Sequence, residues 1–209
     1  MKNIAIIGCG GHSKVIIDII NEINNINVNT YKIIGIFDDY KIGYLYDIPI
    51  LDKIYNIKNY NIESFIISIG NDKIREKIFN DFSFLKWETI IHPLTNISKN
   101  VKIGEGTVIC TGCLIQTEVK IGKHCIINTG SSIDHESVIG DFSSICPKAT
   151  ICGNVLIGSC TLIGANSTII QNISIGDNCI IGAGSVIIKN VENNSKIVGN
   201  PGRLINYIL

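Results

Sequence analysis

The chain carries little charge and no excess of either sign: 17% of its 209 residues are charged, with 18 basic residues balancing 18 acidic ones. The basic residues are scattered, so the clustered positive footprint of a nucleic-acid binder is missing and no nucleic-acid partner is expected. No segment approaches the roughly 18 unbroken apolar residues of a membrane span, and the apolar stretch before Gly8 is too short for a signal-peptide core. These absences exclude a membrane partner and predict a cytoplasmic protein whose eight cysteines are mostly reduced thiols. Cys110 and Cys113 form one CxxC, but no second one follows. Neither His92 nor His124 belongs to a cluster with metal-ligand spacing, so no metal is expected.

What the second half does contain is a repeat. From Ile97 to Ile187 every sixth residue is isoleucine, sixteen in register without an insertion. Four residues after each isoleucine stands a mostly small or β-branched residue, as in Thr107, Cys113, Ser131, Ser137 and Ala149, and glycine often follows the isoleucine directly. A period of six fits neither an α-helix nor a plain strand. The small residue and the next isoleucine are two apart and share one strand face, whereas the four-residue interval after each isoleucine holds polar residues and glycine and reads as a corner. Three strands and three corners close a triangular coil of 18 residues, with isoleucines stacked inside and coils about 4.8 Å apart. Sixteen hexads make about five coils. A purely structural solenoid such as an ice-binder is disfavoured, because no regular threonine ranks mark a flat face.

The first ninety residues read as α/β. Lys2 to Ile7 is a β-branched run ending at Gly8, and Val15, Ile16, Ile19, Ile20 and Ile23 follow a helical stripe. Ile33 to Phe37 predicts a second strand ending in Asp38 and Asp39, and Phe65 to Ile69 a third, followed by Gly70 and an amphipathic helix carrying Ile74, Ile78 and Phe79. With Ile90 and Ile91 as a fourth short strand, the order suggests a small Rossmann-like sheet. Gly8, Gly10 and Gly11 would let backbone approach a phosphate at the helix start, although Ser13 stands where the GxGxxG fingerprint has its last glycine. Acidic residues at the end of the second strand are where such folds meet a ribose or base. The segment is too short for both halves of a dinucleotide site, so a single nucleoside diphosphate is the expected ligand.

Both halves together resemble the sugar O-acyltransferase and sialic acid O-acetyltransferase family of hexapeptide-repeat enzymes, and within it the UDP-4-amino-sugar N-acetyltransferases of the bacillosamine pathway. The resemblance rests on GCGGH (8–12), FDD (37–39), IGNDKIREKI (69–78), IIHP (90–93) and NTGSSIDHESVIGDFS (128–143). It implies a Rossmann-like nucleotide-sugar-binding domain over 1–92 and a left-handed parallel β-helix acetyltransferase domain over 93–209; the handedness comes from the resemblance alone. It further implies acetyl-CoA as cosubstrate, a nucleotide-sugar acceptor, a homotrimer with sites between subunits, and N-acetylation of a UDP-4-amino-4,6-dideoxy sugar. Acetylation of a hydroxyl on a sugar or sialic acid is the alternative. His135 is implied as general base and Glu136 as the acid that raises its basicity. Gly10, Gly11, His12, Asp38, Asp39 and Gly70 would bind the acceptor; Ser144, Gly153, Gly164 and Ala165 would contact the cofactor, with Ser144 replacing a histidine frequent in the family.

Stepping by 18 residues from His135 along one corner reaches Gly153 and Thr117. A missing side chain at Gly153 would leave room for the thioester beside the base. No cysteine is expected on that corner, which argues against a cysteine acyl-enzyme. A γ-type carbonic anhydrase shares the β-helix but needs histidines converging on zinc, and only His124 and His135 lie in the repeats.

Overall fold

The computed structural model describes residues 1–28 and 30–208, which fall into two compact units, Met1–Pro93 and Leu94–Leu209. In the first, β1 (Lys2–Ile7), β2 (Tyr31–Phe37), a hairpin of β3 (Tyr44–Leu45) and β4 (Ile48–Asp52), and β5 (Ser64–Ile67) form one sheet in the order β3-β4-β2-β1-β5. All neighbours are parallel except the β3–β4 pair. The hairpin is a departure from the expected pattern: β4 pairs with β2 on the far side from β1, and Ile90–Ile91, expected as the sheet's fourth strand, forms a two-residue strand outside this sheet. Ile4, Ile6 and Ile7 on the inner strand β1 are fully buried, as an uninterrupted apolar run in a parallel sheet predicts.

Helix α1 (Gly11–Ile26) buries Ser13, Ile16, Ile17 and Ile20, an i, i+3, i+4, i+7 face. Val15 lies off that face and is 37% exposed, correcting the stripe read from sequence. Helix α2 (Asp72–Asp81) is capped by Asn71, whose side-chain oxygen accepts from the Ile74 amide at 2.9 Å.

The second unit is a β-solenoid. Strand pairs recur with a separation of 18 residues, as in Leu114 with Ser132 and Ile115 with Ile133. They build three parallel sheets, one of which closes on the antiparallel strand Arg203–Tyr207. From Ile109 to Ile187 every sixth residue is an isoleucine at most 4% exposed, each contributing about 1.5–3 kcal/mol of apolar burial. The small slots face the same interior, and their hydroxyls stitch coil to coil: Ser137 Oγ donates to the Cys152 carbonyl at 3.0 Å and accepts from the Val155 amide at 3.1 Å. Ser143 and Thr161 repeat this arrangement, so the polar atoms are satisfied inside the core. Among the described residues no helix is long and apolar enough to cross a membrane.

The corners turn on backbone conformation. From Gly106 to Gly184 every sixth residue has φ between 50° and 72°. Glycine or asparagine occupies many of these places, as the left-handed region favours, but Glu118, His124, Glu136, Phe142, Lys148 and Cys160 adopt it too. The exposed Lys148 holds φ 57°. Lys148→Asn should therefore stabilise the solenoid by about 0.5–1 kcal/mol, read as a rise in thermal midpoint; a lower midpoint would show that the lysine stem contributes more than its backbone costs.

Candidate active site

His135 and Glu136 are the second and third residues of one solenoid corner. Side chains of adjacent strand residues would diverge, but Glu136 has φ 61°, and this turn brings its carboxylate back onto its neighbour. Glu136 Oε2 lies 3.0 Å from His135 Nδ1, with both side chains more than half exposed. A proton on Nδ1 is then donated to the carboxylate, which leaves Nε2 as the accepting nitrogen. The start of the corner is held as well, since the His135 amide donates to Asp134 Oδ1 at 2.8 Å.

The backbone ladder confirms the corner register: the Glu136 amide donates to the Thr117 carbonyl, and the Asn154 amide to that of His135. Gly153 therefore stacks directly on His135. A methyl group there would come within 2.6 Å of both Cε1 and Nε2 of the imidazole, so the missing side chain accommodates the histidine ring itself, where sequence reasoning had reserved the space for a ligand. A second expectation also needs correction. Cys152 precedes Gly153 in this same corner, half-buried, so a cysteine does share it. The thiol residue lines a groove of about 200 Å³ with Asp134 and Gln116, whereas Glu136 lines a separate one of about 610 Å³ with Lys102, Glu118, Lys120 and Asn154.

The other solenoid positions singled out from sequence do not join this corner. Ser144 is a nearly buried strand residue between Ile126 and Leu162 on neighbouring coils. Gly164 and Ala165 belong to a different corner, where a methyl group at Gly164 would lie 2.6 Å from the Ala183 nitrogen; coil stacking alone requires glycine there.

In the N-terminal unit, the loop Gly8–His12, residues Asp38–Tyr40 and the turn Ser68–Gly70 enclose a cavity of about 500 Å³. Gly10, Gly11, His12, Asp38, Asp39 and Gly70 all line it. Helix α1 begins at this loop with no side-chain cap, so its first amides are free to meet an anion. Added methyl groups at Gly10 or Gly11 would meet no atom within 4 Å; they would project into open space. Gly8 is different, with φ 100°. Ser13 in place of the last fingerprint glycine is explained by its buried hydroxyl, which donates to the Gly8 carbonyl at 2.8 Å and lies 3.0 Å from Ser68 Oγ.

Asp38 is engaged by the protein itself. Its Oδ2 accepts from the Cys9 amide at 2.7 Å, its Oδ1 accepts from the Tyr40 and Lys41 amides, and Lys41 Nζ returns to the Cys9 carbonyl. It thus shapes the glycine loop. Asp39 Oδ1 accepts from the Ile54 amide. Burial and, secondarily, the Arg75 charge push the His12 imidazole down to about 4, so it is neutral at physiological pH. Sequence reasoning passed over Ser68, Lys41 and Arg75; an arginine beside Ile74 and three residues before Ile78 was the one available signal of a buried charge on α2.

Gly153 lies outside the left-handed region, so a methyl group there strains no backbone. Gly153→Ala should leave the thermal midpoint within a few degrees of wild type while displacing the His135 ring, seen as loss of the Nδ1–Glu136 hydrogen bond in ring ¹⁵N spectra. Unchanged spectra would show that the ring does not depend on the glycine.

Comparison with known proteins agrees with both units. Residues 3–82 match the family model of the PglD N-terminal domain, and residues 154–189 match that of the bacterial transferase hexapeptide with six repeats. UDP-N-acetylbacillosamine N-acetyltransferase of Bacillus subtilis is 34% identical over 116 residues, covering 52% of this chain and 51% of that protein. The chain spans about half or less of the length of the curated relatives it matches. Among solved structures, the acetyltransferase domain of PglB from Neisseria gonorrhoeae in complex with acetyl coenzyme A superposes with a TM-score of 0.92 at 26% identity, covering 98% of this chain and 99% of that one. PerB from Caulobacter crescentus, in complex with CoA and GDP-perosamine, gives 0.90 at 25%, covering 99% and 98%. A match to the PglD N-terminal domain, a match to the hexapeptide-repeat transferases and a structural likeness that runs the whole length of the chain make it similar to the PglD-like hexapeptide-repeat sugar N-acetyltransferases.

Proposed function

We propose that the protein transfers an acetyl group from acetyl-CoA to the amine of a nucleotide-linked 4-amino sugar, of the UDP-4-amino-4,6-dideoxy type. The observation that carries this reading is the His135–Glu136 pair at 3.0 Å, with Nε2 left as the proton acceptor. As the amine nitrogen bonds to the thioester carbonyl carbon, Nε2 takes the amine proton and Glu136 stabilises the imidazolium. The Gly153 N–H, which enters no hydrogen bond among the described residues, offers a donor to the developing oxyanion. Collapse breaks the carbon–sulfur bond, and the departing thiolate takes the proton back from the imidazolium. No covalent enzyme intermediate is needed.

The nucleotide belongs in the 500 Å³ cavity, its phosphates at the uncapped start of α1 and the Gly8–His12 loop. Acetyl-CoA binding in the Neisseria domain, and CoA with GDP-perosamine in PerB, support a ternary mechanism of this kind. The proposed cofactor contacts are Ser144, Gly153, Gly164 and Ala165, and the proposed assembly is a cytoplasmic homotrimer in which neighbouring copies complete each other's exposed corner.

Purified protein assayed with acetyl-CoA should acetylate one of a panel of UDP-, GDP- and dTDP-4-amino sugars; turnover only on sialic acids would overturn the acceptor assignment. His135→Ala should cut kcat by about 10²- to 10⁴-fold with acetyl-CoA binding retained, and a folded variant with wild-type turnover would remove His135 from the reaction. Light scattering at micromolar concentration should give three times the 22.8 kDa chain mass; a fully active monomer would refute the trimer.

A further inference from the structure

Arg75 has no part in the chemistry above, yet it is 1% exposed. Removing a guanidinium from water costs several kcal/mol unless its donors are well used. Arg75 Nη1 donates to the carbonyls of Ile69 and Gly70, at 2.9 and 2.8 Å. Those residues belong to the turn that forms one wall of the nucleotide cavity, and the Gly8–His12 loop belongs to the same enclosure. The two walls interlock, because a methyl group on Gly8 would lie 2.6 Å from Ile69 Cγ1. A shift of the Ile69 backbone would therefore reach the glycine loop.

We infer that Arg75 is a positioning residue of the nucleoside diphosphate site, holding the Ile69–Gly70 wall against the glycine loop and setting a permanent positive charge near the start of α1. This rests on the reading that the cavity takes the nucleotide part of the acceptor. A guanidinium suits the role because it cannot lose its proton, and its field acts more strongly in a low-dielectric interior than in water. The same charge reaches His12, the second residue of α1, and with burial keeps that imidazole neutral. The site's fixed positive charge thus comes from Arg75 and from Lys41 on the Cys9 carbonyl, with the helix dipole, and not from a titrating histidine.

The test is calorimetry of UDP, GDP and dTDP on wild type, Arg75→Met and Arg75→Lys, together with an NMR titration of the His12 ring. Wild type should bind at least one nucleotide. Arg75→Met should weaken that binding by about tenfold or more, the loss expected when charge-assisted hydrogen bonds are removed. The His12 titration should move upward in Arg75→Met, and acetyl-CoA affinity should not change. Arg75→Lys keeps the charge but not the two-carbonyl grip, so its nucleotide affinity should fall between the other two with His12 titrating as in wild type. Unchanged nucleotide affinity in folded Arg75→Met overturns the inference; should that variant not fold, unchanged affinity in Arg75→Lys does so. A wild type that binds none of the three nucleotides overturns the nucleotide reading itself, a result distinct from any effect of Arg75.

Discussion

From Gly106 to Gly184, each corner of the solenoid depends on one residue held in the left-handed backbone region. With φ between 50° and 72° at every sixth position, the chain turns sharply enough for three short strands to close in 18 residues. That closure stacks isoleucine on isoleucine and sets two or more backbone amides of each hexad against carbonyls of the adjacent coil, as with the Glu136 amide on Thr117 and the Val138 amide on Val155. Non-glycine residues in this region cost about 1–2 kcal/mol each, and the isoleucine stack and coil-to-coil hydrogen bonds offset that cost. The candidate chemistry uses the same turn. Glu136 reaches back to His135 only because it is one of the left-handed residues, and His135 projects because the middle residue of a corner faces outward.

The glycine loop of the N-terminal unit follows another logic. It has no regular hydrogen-bonding pattern of its own, so neighbouring groups hold it: Ser13 and Ser68 from within the fold, Asp38 through the Cys9 amide, and Lys41 through the Cys9 carbonyl. The result is a preorganised surface of free helix amides beside glycines with open space above them. An anion meeting such a surface need not reorganise it, which is where affinity is commonly lost. Arg75 extends this support to the facing wall.

Preorganisation also links the histidine to its glycine. In most coils of that corner a side chain would occupy the place next to the ring, but at Gly153 the imidazole fills the space a methyl group would take. Glycine there fixes where the His135 ring can sit before any ligand arrives. The groove beside Glu136 combines two lysines with two glutamates, a mixed surface able to meet a polar acceptor.

Much of this was legible in the residues alone. The period of six determined the coil length, the isoleucine interior, the small-residue slots and the shared corner of His135, Thr117 and Gly153, because a repeat translates directly into stacking. The Lys2–Ile7 run, the glycines and the acidic pair likewise marked a strand, a phosphate-type loop and its neighbour. What tertiary structure decided were contacts between residues far apart in the chain: β4 as the sheet's further strand where Ile90–Ile91 had been expected, Asp38 taken up by the Cys9 amide, the imidazole seated on Gly153, and Arg75 buried behind the cavity wall. Local pattern fixes which way a side chain leaves the backbone, but its partner there depends on which distant segment the fold brings up against it.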